Sequence, residues 1–163
     1  ASGVKGLDRH MAQPIQVLEP DDVTLGCEST DMESAIRLVG AQLVERGAVD
    51  PGYVDGMLQR EKTVSTYLGN GVALPHGVLD SKPYIRHTAI AIAQFPGGVD
   101  WGAGTAHLVV GLAATGEDHV AVLSQLAEVL QQEELCEQMW VTDDAQFIVE
   151  RLTAEPDEEQ EVE

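Results

Sequence analysis

Cationic side chains are scarce in this chain: 9 Lys and Arg stand against 28 Asp and Glu among 163 residues, a net charge of −19 with histidine neutral. Lysine occurs only at positions 5, 62 and 82. So acidic a chain would be repelled by a polyanion, which excludes nucleic acid and an anionic membrane surface as partners. Cysteine is almost missing as well. Cys27 and Cys136 form no CxxC or CxxH spacing, so they read as two reduced, buried thiols without a redox or metal motif. No stretch approaches the roughly 20 consecutive apolar residues of a membrane span, and the N-terminus lacks the charged-then-apolar pattern of a secretion signal. We expect a soluble, cytoplasmic protein.

What is present fits one globular unit. The hydrophobic fraction is 44% and the charged fraction an ordinary 23%, so the acidity is a skew of sign within a foldable composition. Residues 1–12 show no apolar periodicity and are expected to be a cloning-derived leader or a disordered arm. Residues 154–163, with six acids and no base, read as a solvated acidic tail. The folded domain is therefore expected over 13–153.

Apolar spacing predicts helices at about 31–46, from 51 to about 62, from about 117 to 130, and at about 133–140 and 143–152. Thr30 with Glu33 reads as a capping box for the first, and Asp50 before Pro51 as the cap of the second. The third carries Val120, Leu123, Leu126, Ala127 and Leu130 as its apolar stripe. Between the second and third lie β-like runs at Val72–Leu74, Ile85–Phe95 and His107–Ala113. Their near-continuous apolarity predicts strands covered on both faces, hence an α/β fold with helix, sheet and helix in three layers. Residues 17–25 read equally as an edge strand or a loop.

The window REKTVSTYLGNGVALPHG, Arg60 to Gly77, carries the chemistry. His76 sits between Pro75 and Gly77 at a strand end, on a stiff and uncrowded turn. Its imidazole is nucleophilic near neutral pH and belongs to the side chains that form covalent intermediates. From Lys62 to Gly116 there are two acids (Asp80, Asp100) and three bases (Lys62, Lys82, Arg86), a local absence of carboxylates that suits a phosphoryl group.

The window resembles the enzyme IIA component of the phosphoenolpyruvate-dependent sugar phosphotransferase system, in its fructose–mannitol class. FPGGVDWG at 95–102, LVVGLAA at 108–114 and GEDHVAVLSQL at 116–126 extend the likeness over residues 17–152. The resemblance implies a mixed β-sheet between helices. It also implies that His76 accepts a phosphoryl group on Nε2 from the phosphocarrier HPr and passes it to a cysteine of a IIB component, with Nδ1 held by a backbone acceptor. His119, of the GEDH element, is expected in the first turn of the third helix, where it would help hold the phosphoryl group. Arg60 would offer a cationic fork to phosphate oxygens, a helix-end salt bridge being the competing explanation. Thr66 is a candidate hydrogen-bond donor.

Other residues carry less. His87 and His107 are expected in core or surface positions, and Trp101 as a packing anchor. A zinc ion on His76 and His119 would lack a third ligand, so no metal or cofactor is expected. Fructose is favoured over mannitol on STYLGNG and VDWG. Two other functions stay open: a regulatory domain of the nitrogen-related type, whose phosphorylation state controls a partner, and a scaffold with an inactive site.

With so few lysines, we hypothesise adaptation to a high-salt cytoplasm, where counter-ions screen the self-repulsion. Denaturant unfolding at about 0.1 M and about 2 M potassium chloride checks it. The folded state should be clearly more stable in the higher salt, and equal stability refutes the idea.

Overall fold

The structure, a computed structural model, describes residues 18–153. The expected N-terminal arm and acidic tail lie outside them. Five strands form one sheet: β1 (Val23–Thr24), β2 (Tyr67–Gly69), β3 (Val72–Ala73), β4 (Ala89–Asp100) and β5 (Thr105–Ala113), in the order β1-β4-β5-β3-β2. β4 and β5 pair antiparallel, as do β2 and β3, while β1 with β4 and β3 with β5 run parallel. The sheet is therefore mixed. β1 settles the ambiguity at residues 17–25 as a two-residue edge strand.

Helices α1 (Met32–Glu45) and α2 (Gly52–Thr63) cover one face; α3 (Gly116–Leu130), α4 (Glu133–Val141) and α5 (Ala145–Thr153) cover the other. The side-chain alternation of the central strands sorts the two cores by size. Ala89, Ala91 and Ala93 of β4 meet Ile36, Val39 and Leu43 of α1, whereas Ile90 and Ile92 meet Val122, Leu126, Met139 and Ile148. The alanine face lets α1 approach closely: a Cβ on Gly111 of β5 would meet the Val39 side chain at 2.8 Å. Gln94, buried in β4, ties the layers together. Its amide donates to the carbonyls of Met139 and Thr142 at 2.9 Å, and its oxygen accepts from Gly26 N–H at 2.9 Å.

Several expectations are corrected by where hydrogen bonds go. The cap of α1 is Asp31, whose carboxylate accepts from Ser34 N–H at 2.7 Å; Glu33 pairs with Arg37 at 3.0 Å, so the Thr30 capping box does not form. Asp50 leaves its side chain on Arg86 at 2.6 Å and caps α2 only through its backbone carbonyl. Residues 85–88 are not strand, because the N–H groups of Arg86 and His87 turn to the Ala48 carbonyl in the α1–α2 connection; β4 begins at Ala89 and runs on to Asp100. On α3 the buried stripe is Val122, Leu126 and Val129, while Val120 is 61% exposed and Ala127 faces solvent. Among the described residues, no helix is long and apolar enough to cross a membrane.

Candidate functional site

The site gathers where α2 ends, β3 ends and α3 begins. Arg60 lies in the last turn of α2, where a cation complements the exposed carbonyls, and its guanidinium donates to the Val64 carbonyl at 2.5 Å. Among the described residues no carboxylate forms a salt bridge with it, which removes the helix-end ion pair as its explanation.

The hairpin of β2 and β3 then delivers the turn bearing His76. Gly71, at φ +78°, lies under the Trp140 indole, where a Cβ would come within 2.5 Å of the ring. Asn70 anchors the same turn by donating to the Leu130 carbonyl, while Trp140 Nε1–H donates to the Asn70 carbonyl at 3.2 Å. The chain leaves β3 through Leu74 and Pro75, and Leu112 N–H of β5 donates to the Pro75 carbonyl at 3.0 Å. His76 Nδ1 lies 2.8 Å from the Leu74 carbonyl. A carbonyl only accepts, so Nδ1 carries the proton and Nε2 keeps its lone pair.

His119, in the first turn of α3, stands edge-on to His76 with ring centroids 4.8 Å apart and planes at 70°. Both rings are half-buried. Desolvation holds both imidazoles below the ordinary histidine pKa. The neighbouring His119 and the Arg60 charge push His76 further down, against the Leu74 carbonyl and Glu61, and Arg60 acts on His119 in the same sense. Both rings are therefore neutral at pH 7. What the arrangement offers is a nucleophilic nitrogen, a second imidazole beside it, and a guanidinium unpaired by any described carboxylate.

Thr66 does not join this group through its hydroxyl. That hydroxyl donates to Glu61 Oε1 at 2.5 Å, and Thr66 N–H donates to Oε2 at 2.8 Å. Trp101 Nε1–H completes the shell on Oε2 at 2.9 Å, so Trp101 is both a packing anchor and a donor. Glu61 escaped the sequence analysis because the acid-poor window begins one residue later. A buried carboxylate is tolerable where hydrogen bonds satisfy it. Its three donors let it sit near His76, and through Thr66 it braces the strand: the Thr66 carbonyl accepts from Leu74 N–H at 2.9 Å.

The remaining histidines lie elsewhere. His87 is exposed, and His107 stacks on Trp140 with centroids 4.2 Å apart. Among the described residues no three His, Cys, Asp or Glu side chains are grouped to hold a metal ion.

The fold thus places a histidine pair, one ring with its Nε2 free, near a guanidinium where β3 ends in a mixed sheet. Residues 16–154 match the family described as phosphoenolpyruvate-dependent sugar phosphotransferase system, EIIA 2, and the chain belongs to that family. Over 144 residues it is 41% identical to a multiphosphoryl transfer protein of Escherichia coli O157:H7, a match covering 88% of this chain and 38% of the relative. A mannitol-specific EIICBA component of Pasteurella multocida is 39% identical over 85% of this chain and 23% of its own length. The chain thus spans well under half of these relatives. Among solved structures, IIA mannitol from Escherichia coli superposes with a TM-score of 0.77 at 37% identity, over 83% of this chain and 98% of that one. The complex of enzyme IIAMTL with phosphorylated enzyme IIBMTL gives 0.78 at 36% identity, over 83% and 96%.

Replacing Arg60 by Gln removes a positive charge from both rings. The pKa values of His76 and His119 in an NMR titration should both rise, and unchanged values contradict the electrostatic account. The sign for stability follows from linkage. Each ring has its pKa lowered from about 6.5 in the unfolded chain, so the folded state loses stability as pH falls from neutral through that value, and Arg60→Gln should soften that loss.

Proposed function

We propose that this chain is a phosphocarrier of a sugar phosphotransferase system, and that His76 Nε2 is the atom that carries the phosphoryl group. The observation behind it is the 2.8 Å contact between Nδ1 and the Leu74 carbonyl, which leaves Nε2 as the nucleophile. The lone pair of Nε2 attacks the phosphorus of phospho-HPr; the bond to the donor breaks as the new P–N bond forms, and the donor leaves with its electron pair. The next transfer reverses these roles, with a IIB cysteine thiolate attacking and the His76 imidazole leaving. Little covalent help is needed in such a transfer beyond alignment and cancellation of charge on the equatorial oxygens. Arg60 and His119 supply that cancellation, His119 as a hydrogen-bond partner at the start of α3.

Both partners must dock on one face in turn, which calls for a small, transient interface. Val64, Leu79 and Val120 are 60%, 72% and 61% exposed and lie within four residues of Arg60, His76 and His119 in the chain, which makes them the apolar side chains we propose for that docking face. The solved relative in complex with a phosphorylated IIB supports a IIB protein as acceptor. A cytoplasmic site of action is part of the same proposal.

The expectation of fructose gains no support from those named relatives that state a sugar, which is mannitol. Mannitol is accordingly the first substrate to assay, with the matching IIB and membrane components and fructose in parallel. The nitrogen-regulatory reading rests on a likeness of fold alone, a Neisseria meningitidis protein at 24% identity and a TM-score of 0.73.

Incubation with phosphoenolpyruvate, enzyme I and HPr should add one acid-labile phosphate per chain. His76→Ala should take none, and equal labelling of that variant would overturn the assignment. His119→Ala should still be labelled but should pass phosphate to IIB on the order of tenfold to a hundredfold more slowly; loss of its fold would assign His119 a structural role instead.

A further inference from the structure

His76 pairs with Leu112 as an isolated parallel bridge beyond β3. In that pairing one rung runs from Leu112 N–H to the Pro75 carbonyl, and the next belongs between Gly77 N–H and the Leu112 carbonyl. The first rung is present at 3.0 Å. At the second stands a side chain from the other layer. The Tyr53 hydroxyl accepts from Gly77 N–H at 2.9 Å and donates to the Leu112 carbonyl at 2.8 Å.

Tyr53 is 2% exposed and belongs to the first turn of α2, where it packs with Met57 and the alanine face of the sheet. Burial pushes its phenol up to about 12, so the hydroxyl keeps the proton it donates. The turn is pressed against the ring from the far side as well. A Cβ on Gly77 would lie 2.6 Å from Tyr53 Cε1 and 2.2 Å from Ser81 Oγ, so only glycine lets the chain pass. Residues on both sides of His76 are thus fixed, Pro75 by a direct rung and Gly77 by a rung one oxygen longer.

We propose that Tyr53 is a positioning residue, whose hydroxyl replaces a rung of the β3–β5 ladder and so sets how His76 leaves the sheet. The kinetic consequence rests on the reading of His76 as phosphoryl acceptor; the geometry does not. Without the oxygen, the half-buried Gly77 N–H and the buried Leu112 carbonyl lose their shared partner, and closing directly on each other turns His76, which lies between Pro75 and Gly77.

Tyr53→Phe removes that one atom and keeps the ring. In a proton–nitrogen spectrum of the imidazoles, the wild type should show His76 as a single tautomer protonated on Nδ1, and Tyr53→Phe should show both tautomers. Phosphoryl acceptance from phospho-HPr should fall about ten- to a hundredfold. Ile148→Val, in the core on the opposite face, perturbs packing away from the turn and should leave tautomer and rate as in wild type. A Tyr53→Phe protein with the wild-type tautomer overturns the proposal, as does the same change of tautomer in Ile148→Val. If wild type itself takes no phosphate, the functional reading falls, while the tautomer comparison still decides the role of Tyr53. Should Tyr53→Phe fail to fold, Gly77→Ala displaces the same contact from the other side, and the same spectrum reads it.

Discussion

One hydrogen bond, from His76 Nδ1–H to the carbonyl two residues earlier in the chain, divides the imidazole into a held nitrogen and a free one. Because the acceptor is backbone, its position is as rigid as the strand end that carries it. Much of the surrounding structure serves to fix that strand end. Leu74 N–H is tied to Thr66, Pro75 to Leu112, and Gly77 to Leu112 through Tyr53. Further out, the Gly71 turn is clamped beneath Trp140, whose own partner is the Asn70 carbonyl. The proposed nucleophile is thus placed by main-chain geometry, the form of preorganisation least sensitive to side-chain motion.

Electrostatics completes the arrangement by keeping negative charge from competing. The protein carries −19, yet its site presents two neutral imidazoles and a guanidinium, and the nearby carboxylate Glu61 is occupied by three hydrogen-bond donors. On the proposed function, a phosphoryl group would meet Arg60 without displacing an acid from it. The acidity of the flanking helices shapes the outer surface and the response to salt, and it stands apart from the transfer chemistry.

Periodicity and punctuation in the sequence were enough to read the three layers, all five helices and the turn that displays His76. They failed where a backbone or side-chain group had a choice of partners. Asp31 and Thr30 are both acceptable caps, and only the fold shows that Asp31 reaches Ser34. Residues 85–88 lead into the apolar run of β4 and read as its start, but the N–H groups of Arg86 and His87 are taken by Ala48, nearly forty positions away. At the site, the place of His76 at a strand end was legible from its Pro–Gly frame, and that of His119 in the first turn of α3 from the resemblance carried by GEDH. Thr66 read as a candidate donor and does donate, but its acceptor Glu61 looks in sequence like one more charge at a helix end. Tyr53 read as part of an apolar helix face, and nothing near it signals that its oxygen meets a carbonyl 59 residues away.

The central claim is that His76 accepts phosphate on Nε2 because Nδ1 is held. Phosphorus NMR of the phosphorylated, nitrogen-15-labelled protein tests it directly. The account predicts a single phosphohistidine whose phosphorus couples to Nε2 of His76. Coupling to Nδ1, or a phosphate on His119, would contradict it.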